Sequence, residues 1–289
     1  MPELPEVETI KLGLQKKIIG LTIKKIQILS PKSFTGNPNQ AEGQKVLNIW
    51  RRAKFLGIDL SSDITLLFHL KMTGQLIWKG ESGKGQGESF IGGHPTPDMR
   101  DQMPNSHTRV IFSFSDGSHL YFNDQRRFGW VRVSEKFKVQ SVKFMKNLGP
   151  EPLEKGFNWQ LLKQNLLKHK SMPVKVAIMD PQVVAGVGNI YANEACFDAK
   201  VDPRTKVSKL SDEQFKALYK GIIKSLEEGI RYGGSTRAHF VDAEGQKGYF
   251  LDYAYVYGLD GHPCEKCKTN IEKIQLGGRG TYFCPTCQK

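Results

Sequence analysis

The sequence predicts a multidomain α+β protein, and three of its features carry that expectation. Short β-branched and aromatic runs, separated by turn residues, fill the first half in the manner of a β-sandwich. Past Leu148-Gly149-Pro150-Glu151-Pro152 the apolar spacing becomes helical, and the closely spaced prolines stop any helix from crossing that point. Near the carboxyl end Cys264-x-x-Cys267 and Cys284-x-x-Cys287 stand sixteen residues apart, the spacing of a four-cysteine zinc site. A single redox pair beside a βαβ unit would leave the second pair unexplained. The expected divisions are a β-sandwich over 1–135, a linker over 136–157, a helical domain over 158–257 and a zinc module over 258–289.

The elements follow in order. Val7, Ile10, Leu14 and Ile18 recur at helical spacing after Pro5, which suits a first turn because its missing N–H has no partner there anyway. Strands are expected in Leu21–Leu29, Val46–Leu60, Ile64–Leu70, Leu76–Trp78, Thr108–Phe114, His119–Asn123 and Trp130–Val133. Between them, 80–105 is rich in Gly, Pro and Ser, nearly lacks apolar periodicity, and reads as a long, mobile surface insertion. Helices are expected in Trp159–Lys168, Val174–Met179, Ile190–Phe197 and Ser211–Arg231, the last capped by Ser211. The turn Ala185-Gly186-Val187-Gly188-Asn189 can bring backbone N–H groups close to a phosphate at a helix start. Ile271–Leu276 and Thr281–Phe283 form a hairpin around Gly277-Gly278-Arg279-Gly280. Cys196 lies outside the metal set and reads as a small buried apolar residue.

Composition narrows the partners. A chain of 289 residues can hold two domains with real cores, and no apolar run is long enough to span a bilayer. No charged-then-apolar leader opens the sequence, which points to the cytoplasm. The formal charge of +13, from 42 basic and 29 acidic residues, is spread over both halves and suits a polyanion such as nucleic acid.

The candidate chemistry lies in the first residues. With Met1 removed, Pro2 presents a secondary amine, a nucleophile suited to a sugar carbon. An α-amino group titrates near ~7.7–8.0 and a lysine near ~10.4, so at pH 7 roughly a tenth of the first is neutral against a few in ten thousand of the second. Glu3 is placed to deliver or remove a proton. On residue type alone this stretch also reads as a polar terminus leading into an amphipathic helix. Likewise, Lys54 reads as part of a solvated basic edge beside Arg51 and Arg52.

Seven motifs together resemble formamidopyrimidine-DNA glycosylase, nearly end to end and in family order. They are Pro-Glu-Leu-Pro-Glu-Val-Glu at 2–8, Arg-Arg-Ala-Lys-Phe-Leu at 51–56, His-Leu-Lys-Met-Thr-Gly at 69–74 and Asp-Gln-Arg-Arg-Phe-Gly at 124–129. Leu-Gly-Pro-Glu-Pro-Leu at 148–153, Gly-Val-Gly-Asn-Ile-Tyr-Ala at 186–192 and Gly-Arg-Gly-Thr-Tyr-Phe-Cys-Pro-x-Cys at 278–287 complete the set. The resemblance implies a β-sandwich with flanking helices, a helix–two-turn–helix domain and a β-hairpin zinc finger holding one structural Zn2+. It implies a monomeric bacterial enzyme of the cytoplasm and nucleoid that acts on damaged double-stranded DNA. The activity implied is excision of oxidised purines, followed by strand cleavage at the abasic site.

The same resemblance assigns roles. Pro2 attacks C1′ and forms a Schiff base, Glu3 is the acid for ring opening, Lys54 serves β-elimination and Arg279 δ-elimination. Met72, Arg126 and Phe128 fill the gap left by the extruded base. His107, Arg126, Lys170, Lys175 and Asn189 contact DNA, chiefly its phosphates, with Ser171 interrupting the family's basic run before Lys175. Thr236 and Arg237 lie in a loop over the lesion. Cys264, Cys267, Cys284 and Cys287 bind the metal. Two other readings stand beside this one. The sister enzyme endonuclease VIII, which prefers oxidised pyrimidines, usually opens Pro-Glu-Gly-Pro-Glu, so Leu4 argues against it. A non-catalytic damaged-DNA-binding protein on the same scaffold would carry the motifs without a nucleophile.

Overall fold

The computed structural model describes residues 2–81, 89–92, 103–141, 143–235 and 249–289. It divides into two compact units, one running through Lys146 and the other comprising Asn147–Ser235 and Tyr249–Lys289.

In the first unit, helix α1 (Leu4–Ile18) begins where the sequence places it, with Pro5 in the first turn and Val7, Ile10, Leu14 and Ile18 wholly buried. Among the described residues ten strands form two five-stranded sheets. The first has the order β1 (Ile23–Ile28), β8 (Thr108–Phe114), β9 (His119–Asp124), β6 (Gly74–Lys79), β7 (Ser89–Gly92). The second has the order β2 (Phe34–Thr35), β10 (Trp130–Glu135), β5 (Ile64–His69), β4 (Phe55–Leu60), β3 (Val46–Arg52). Both sheets and α1 share one core, in which Phe68 of the second sheet meets Phe112 and Phe122 of the first at ring-centroid distances of 5.7 and 6.3 Å. Side chains from two inner faces interdigitate, as a sandwich requires.

Two local expectations change. Val46–Leu60 is not one strand but a hairpin, because Ala53 takes a left-handed φ of 53° and Arg52 pairs with Phe55 across Ala53-Lys54. The 80–105 insertion is not free of regular structure either. Its Ser89–Gly92 segment pairs with Leu76–Lys79, and an added Cβ at Gly92 would lie 2.3 Å from the Ile10 side chain, so only glycine fits against α1 there.

The second unit is helical and ends in the cysteine module. It contains α3 (Trp159–Leu166), α4 (Val174–Ala177), α5 (Asn189–Asp198) and α6 (Asp212–Arg231), preceded in the first unit by the single-turn α2 (Lys143–Lys146). Ser211 caps α6 in a reciprocal box with Gln214, satisfying two N-terminal donors. Strands β11 (Glu272–Leu276) and β12 (Arg279–Phe283) close over Gly277 and Gly278, whose φ values of 57° and 73° are those of a two-residue hairpin turn. Arg279 is therefore the first residue of β12, directly after the tip.

Candidate functional site

Pro2 and Glu3 are both buried at the start of α1. The Glu6 carboxylate accepts a 2.7 Å hydrogen bond from the Glu3 N–H, so the α1 start is fixed rather than frayed. Next along the helix, Glu8 pairs with Lys11 and with Arg51 Nε at 2.7 Å, tying α1 to the end of β3. Burial pushes the Glu8 carboxyl up, but those two cations more than offset it and leave it below the ordinary range. Lys54 stands half-buried in the β3–β4 turn.

Beside that turn, the His69 ring packs edge-on against Phe55 at 4.6 Å, and its Nδ1 accepts from the Lys71 N–H at 3.0 Å. Burial, reinforced by the Lys71 and Lys54 cations, lowers His69 from 6.5 to about 3. A depressed pKa means the folded protein binds fewer protons than the unfolded chain between these values. His69 therefore contributes stability fully above pH ~6.5, and that contribution is lost as pH falls toward 3. Thermal melts from pH 7 to 4 are expected to fall more steeply in the wild type than in His69→Gln; identical slopes would show that His69 does not titrate on unfolding.

The topology sets two loops side by side. Residues 70–73 pass from β5 to β6, and 125–129 from β9 to β10, so each crosses between the sheets. The register pairs Gly74 with Asp124 and His69 with Trp130, bringing the loop ends into contact. They carry Met72, Arg126 and Phe128, all exposed, with Phe128 at 55% and the Arg126 guanidinium 5.0 Å from its ring. An exposed aromatic and thioether beside a cation suit insertion between bases better than a role in the core. His107 is half-buried at the entry to β8, and its carbonyl accepts from the Asp124 N–H at 2.9 Å.

In the second unit, Lys175 is fully buried, although it is expected to contact DNA. Its ammonium donates to Asn189 Oδ1 and, at 3.1 Å, to Thr281 Oγ1. Lys170, five residues earlier, is exposed, as is Lys168. Asn189 Nδ2 donates to the Gly280 carbonyl at 3.1 Å, and Asn193 Oδ1 accepts from the Tyr282 N–H at 2.8 Å. The hairpin carrying the exposed Arg279 is thus bonded to α4 through Lys175 and to α5 through Asn189 and Asn193. A further tie is Glu194, buried on α5, whose carboxylate accepts from the N–H groups of Tyr255, Val256 and Tyr257 at 2.8, 3.1 and 2.8 Å. The nearby Cys196 thiol is buried and pushed by that burial up to about 12, so it remains a neutral core residue.

The four cysteine sulfurs lie within 4.8 Å of one another, with Cys264–Cys287 at 4.0 Å and Cys267–Cys284 at 3.4 Å. Zn–S bonds of ~2.3 Å in a tetrahedron place sulfurs about 3.8 Å apart, so this set fits one zinc ion. Four thiolates leave no position open for water, which makes the metal structural.

Sequence reasoning missed His69, Asp124, Glu194 and Thr281. His69 and Asp124 open two of the quoted motifs, which was the available signal; nothing local marks Glu194, whose partners are more than sixty residues away. Thr236 and Arg237 lie outside the described residues. Pro2, Glu3 and Lys54 belong to the first unit and Arg279 to the second.

Comparison with known proteins agrees along the whole chain. Residues 1–131 match the formamidopyrimidine-DNA glycosylase N-terminal domain, 148–241 that family's H2TH domain, and 261–289 the zinc finger found in FPG and IleRS. A formamidopyrimidine-DNA glycosylase of Pelotomaculum thermopropionicum is 38% identical over 100% of this chain and 99% of its own length. One from Listeria innocua is 37% identical over 100% of both. A Lactococcus lactis FPG mutant in complex with Fapy-dG-containing DNA superposes with a TM-score of 0.86 at 30% identity, covering 100% of both chains. The MutM (FPG) protein of Thermus thermophilus gives 0.83 at 35%, covering 99% of this chain and 98% of that one. Sequence, fold and cysteine cluster thus agree: the chain belongs to the formamidopyrimidine-DNA glycosylase family.

Proposed function

We propose that this chain excises 8-oxoguanine and formamidopyrimidines from duplex DNA with the Pro2 nitrogen as nucleophile, then cleaves the strand by β,δ-elimination. As a member of its family it is a base-excision repair DNA glycosylase, and abasic-site lyase activity is general to that family. The observation that carries the reading is the amino-terminal start of α1, where Pro2 and Glu3 are buried and the Glu3 N–H is pinned by Glu6.

The steps follow from the groups present. Removal of Met1 frees the Pro2 lone pair, which attacks C1′ as the base departs with the glycosidic electrons, and the proton released from the Pro2 nitrogen passes to the departing base. Glu3 protonates the ring oxygen, the sugar opens, and an iminium links Pro2 to C1′. The iminium draws electrons from C2′ and acidifies its proton; Lys54 serves the β-elimination in which that proton is removed and the 3′ phosphate leaves with the C3′–O electrons. Arg279 is always cationic, which suits it to holding the remaining phosphate through the second elimination rather than to moving protons. Zinc supplies no reacting group and holds the hairpin that carries Arg279.

Before this chemistry the base must leave the stack, at a cost of a few kcal/mol. Met72, Arg126 and Phe128 fill the space it vacates. His107, Lys170 and Asn189 hold phosphates, while Lys175 acts behind Asn189. Thr236 and Arg237 belong to the loop over the extruded base. The protein works as a monomer on chromosomal DNA in the bacterial cytoplasm.

Single-turnover excision from matched duplexes tests the substrate. Release of 8-oxoguanine opposite cytosine is expected to exceed that of thymine glycol by at least about tenfold, a ~1.4 kcal/mol difference in transition-state binding. A preference for the pyrimidine lesion would place the chain with the endonuclease VIII activity instead.

A further inference from the structure

The two crossing loops share one buried carboxylate. Asp124 is 0% exposed and ends β9. Its Oδ1 accepts from the Thr73 hydroxyl and, at 3.2 Å, from the Arg126 N–H. Its Oδ2 accepts from the Gly129 N–H at 2.6 Å. The Arg126 N–H also reaches Thr73 Oγ1 at 3.0 Å, closing a ring of contacts between the loops. Arg109, itself 6% exposed, donates from Nε to the Asp124 carbonyl at 2.8 Å and sets a cation beside the buried charge.

The fit leaves little slack. A Cβ at Gly129 would lie 2.9 Å from Phe122 and 3.1 Å from Asp124 Oδ2. One at Gly74 would lie 2.4 Å from the Leu70 carbonyl. Lys71 and Arg127, one in each loop, hold left-handed φ values of 51° and 58°, conformations that non-glycine residues keep only where surrounding bonds impose them. A buried carboxylate is costly unless each oxygen is bonded. Here both are bonded, and they fix the backbone on either side of Arg126 to Phe128 and, through Thr73, the residue after Met72.

We propose that Asp124, acting through Thr73, is the positioning residue that sets Met72, Arg126 and Phe128 as one rigid wedge, so that it governs base extrusion rather than bond cleavage. The inference rests on those three side chains entering the DNA stack. Without the carboxylate the two loops are no longer tied to each other, and the wedge must be ordered at the moment of insertion. The cost falls on the step that opens a paired, stacked nucleotide. An abasic site has no base to extrude and is largely spared.

The test compares Asp124→Asn, Thr73→Val and Thr73→Ser on two substrates, a duplex with 8-oxoguanine opposite cytosine and the same duplex with a preformed abasic site. Asp124→Asn and Thr73→Val are expected to lose about tenfold or more in single-turnover base excision, the effect of removing a charge-assisted bond. Abasic-site cleavage and borohydride trapping should fall less than about threefold, and Thr73→Ser, which keeps the hydroxyl, should restore excision. A 2-aminopurine beside the lesion should lose its stack-opening signal in the two impaired variants. Equal losses on both substrates, or full excision by Thr73→Val, would overturn the proposal. Should Asp124→Asn fail to fold, Thr73→Val with its serine counterpart decides the matter. Trapping of the abasic duplex reports separately on Pro2, so failure of the wedge proposal and failure of the nucleophile leave different signatures.

Discussion

Retention of Met1, or any amino-terminal extension, is expected to abolish both base release and borohydride trapping. The Pro2 nitrogen would then be an amide, its lone pair delocalised into the carbonyl and no longer nucleophilic. Loss of a nucleophile from an otherwise intact site removes several orders of magnitude, so a fall of at least ~10³-fold in trapped complex is expected, with DNA binding retained. Pro2→Gly leaves a primary amine with ordinary basicity and should weaken trapping without eliminating it. The comparison separates chemistry from recognition, because neither change touches Met72, Arg126, Phe128 or the hairpin. Undiminished trapping by the extended protein would assign the nucleophile to a lysine.

Removal of zinc carries the second largest effect. The ion is worth ~10–16 kcal/mol of apparent binding energy in zinc-finger peptides, far more than a short two-stranded hairpin can supply by itself. With Cys284→Ser or a strong chelator, β11 and β12 lose their anchor. Thr281 then no longer meets the buried Lys175 ammonium, and Asn193 loses the Tyr282 N–H. DNA affinity is expected to fall by ~10²–10³-fold, since a bound phosphate clamp and a set of buried bonds are lost together. At saturating protein, base excision and β-elimination should recover, because Pro2, Glu3 and Lys54 lie in the other unit. The δ-elimination product should not recover. Gel resolution of the two 3′ ends makes this visible; equal recovery of both products would remove Arg279 from the second elimination.

Much of this was legible in the sequence, for identifiable reasons. The apolar period of α1 is unbroken, and all four predicted residues are buried. The cysteine pairs announce their own geometry, because each Cys-x-x-Cys turn can face only one metal. The β3–β4 turn was hidden because Ala53, not glycine or asparagine, occupies its left-handed position. Strand β7 was hidden because four residues within a polar insertion give no alternation to read, and its place is set by Ile10 meeting Gly92. The burial of Lys175 was hidden for a physical reason. A lysine is read as solvent-facing, and only the fold shows that Asn189 and Thr281 supply acceptors enough to keep its ammonium inside. Asp124 and Glu194 belong to the same class: carboxylates whose meaning lies in backbone donors that the chain brings to them only after folding.

The account stands on the nucleophile, and one measurement reaches it directly. Active protein is reduced with borohydride on an 8-oxoguanine duplex, digested, and the deoxyribose-modified peptide sequenced by mass spectrometry. The remnant is expected on the nitrogen of Pro2, at the start of a peptide lacking Met1. A remnant on Lys54 or any other lysine, in protein that excises the base at full rate, would contradict the account.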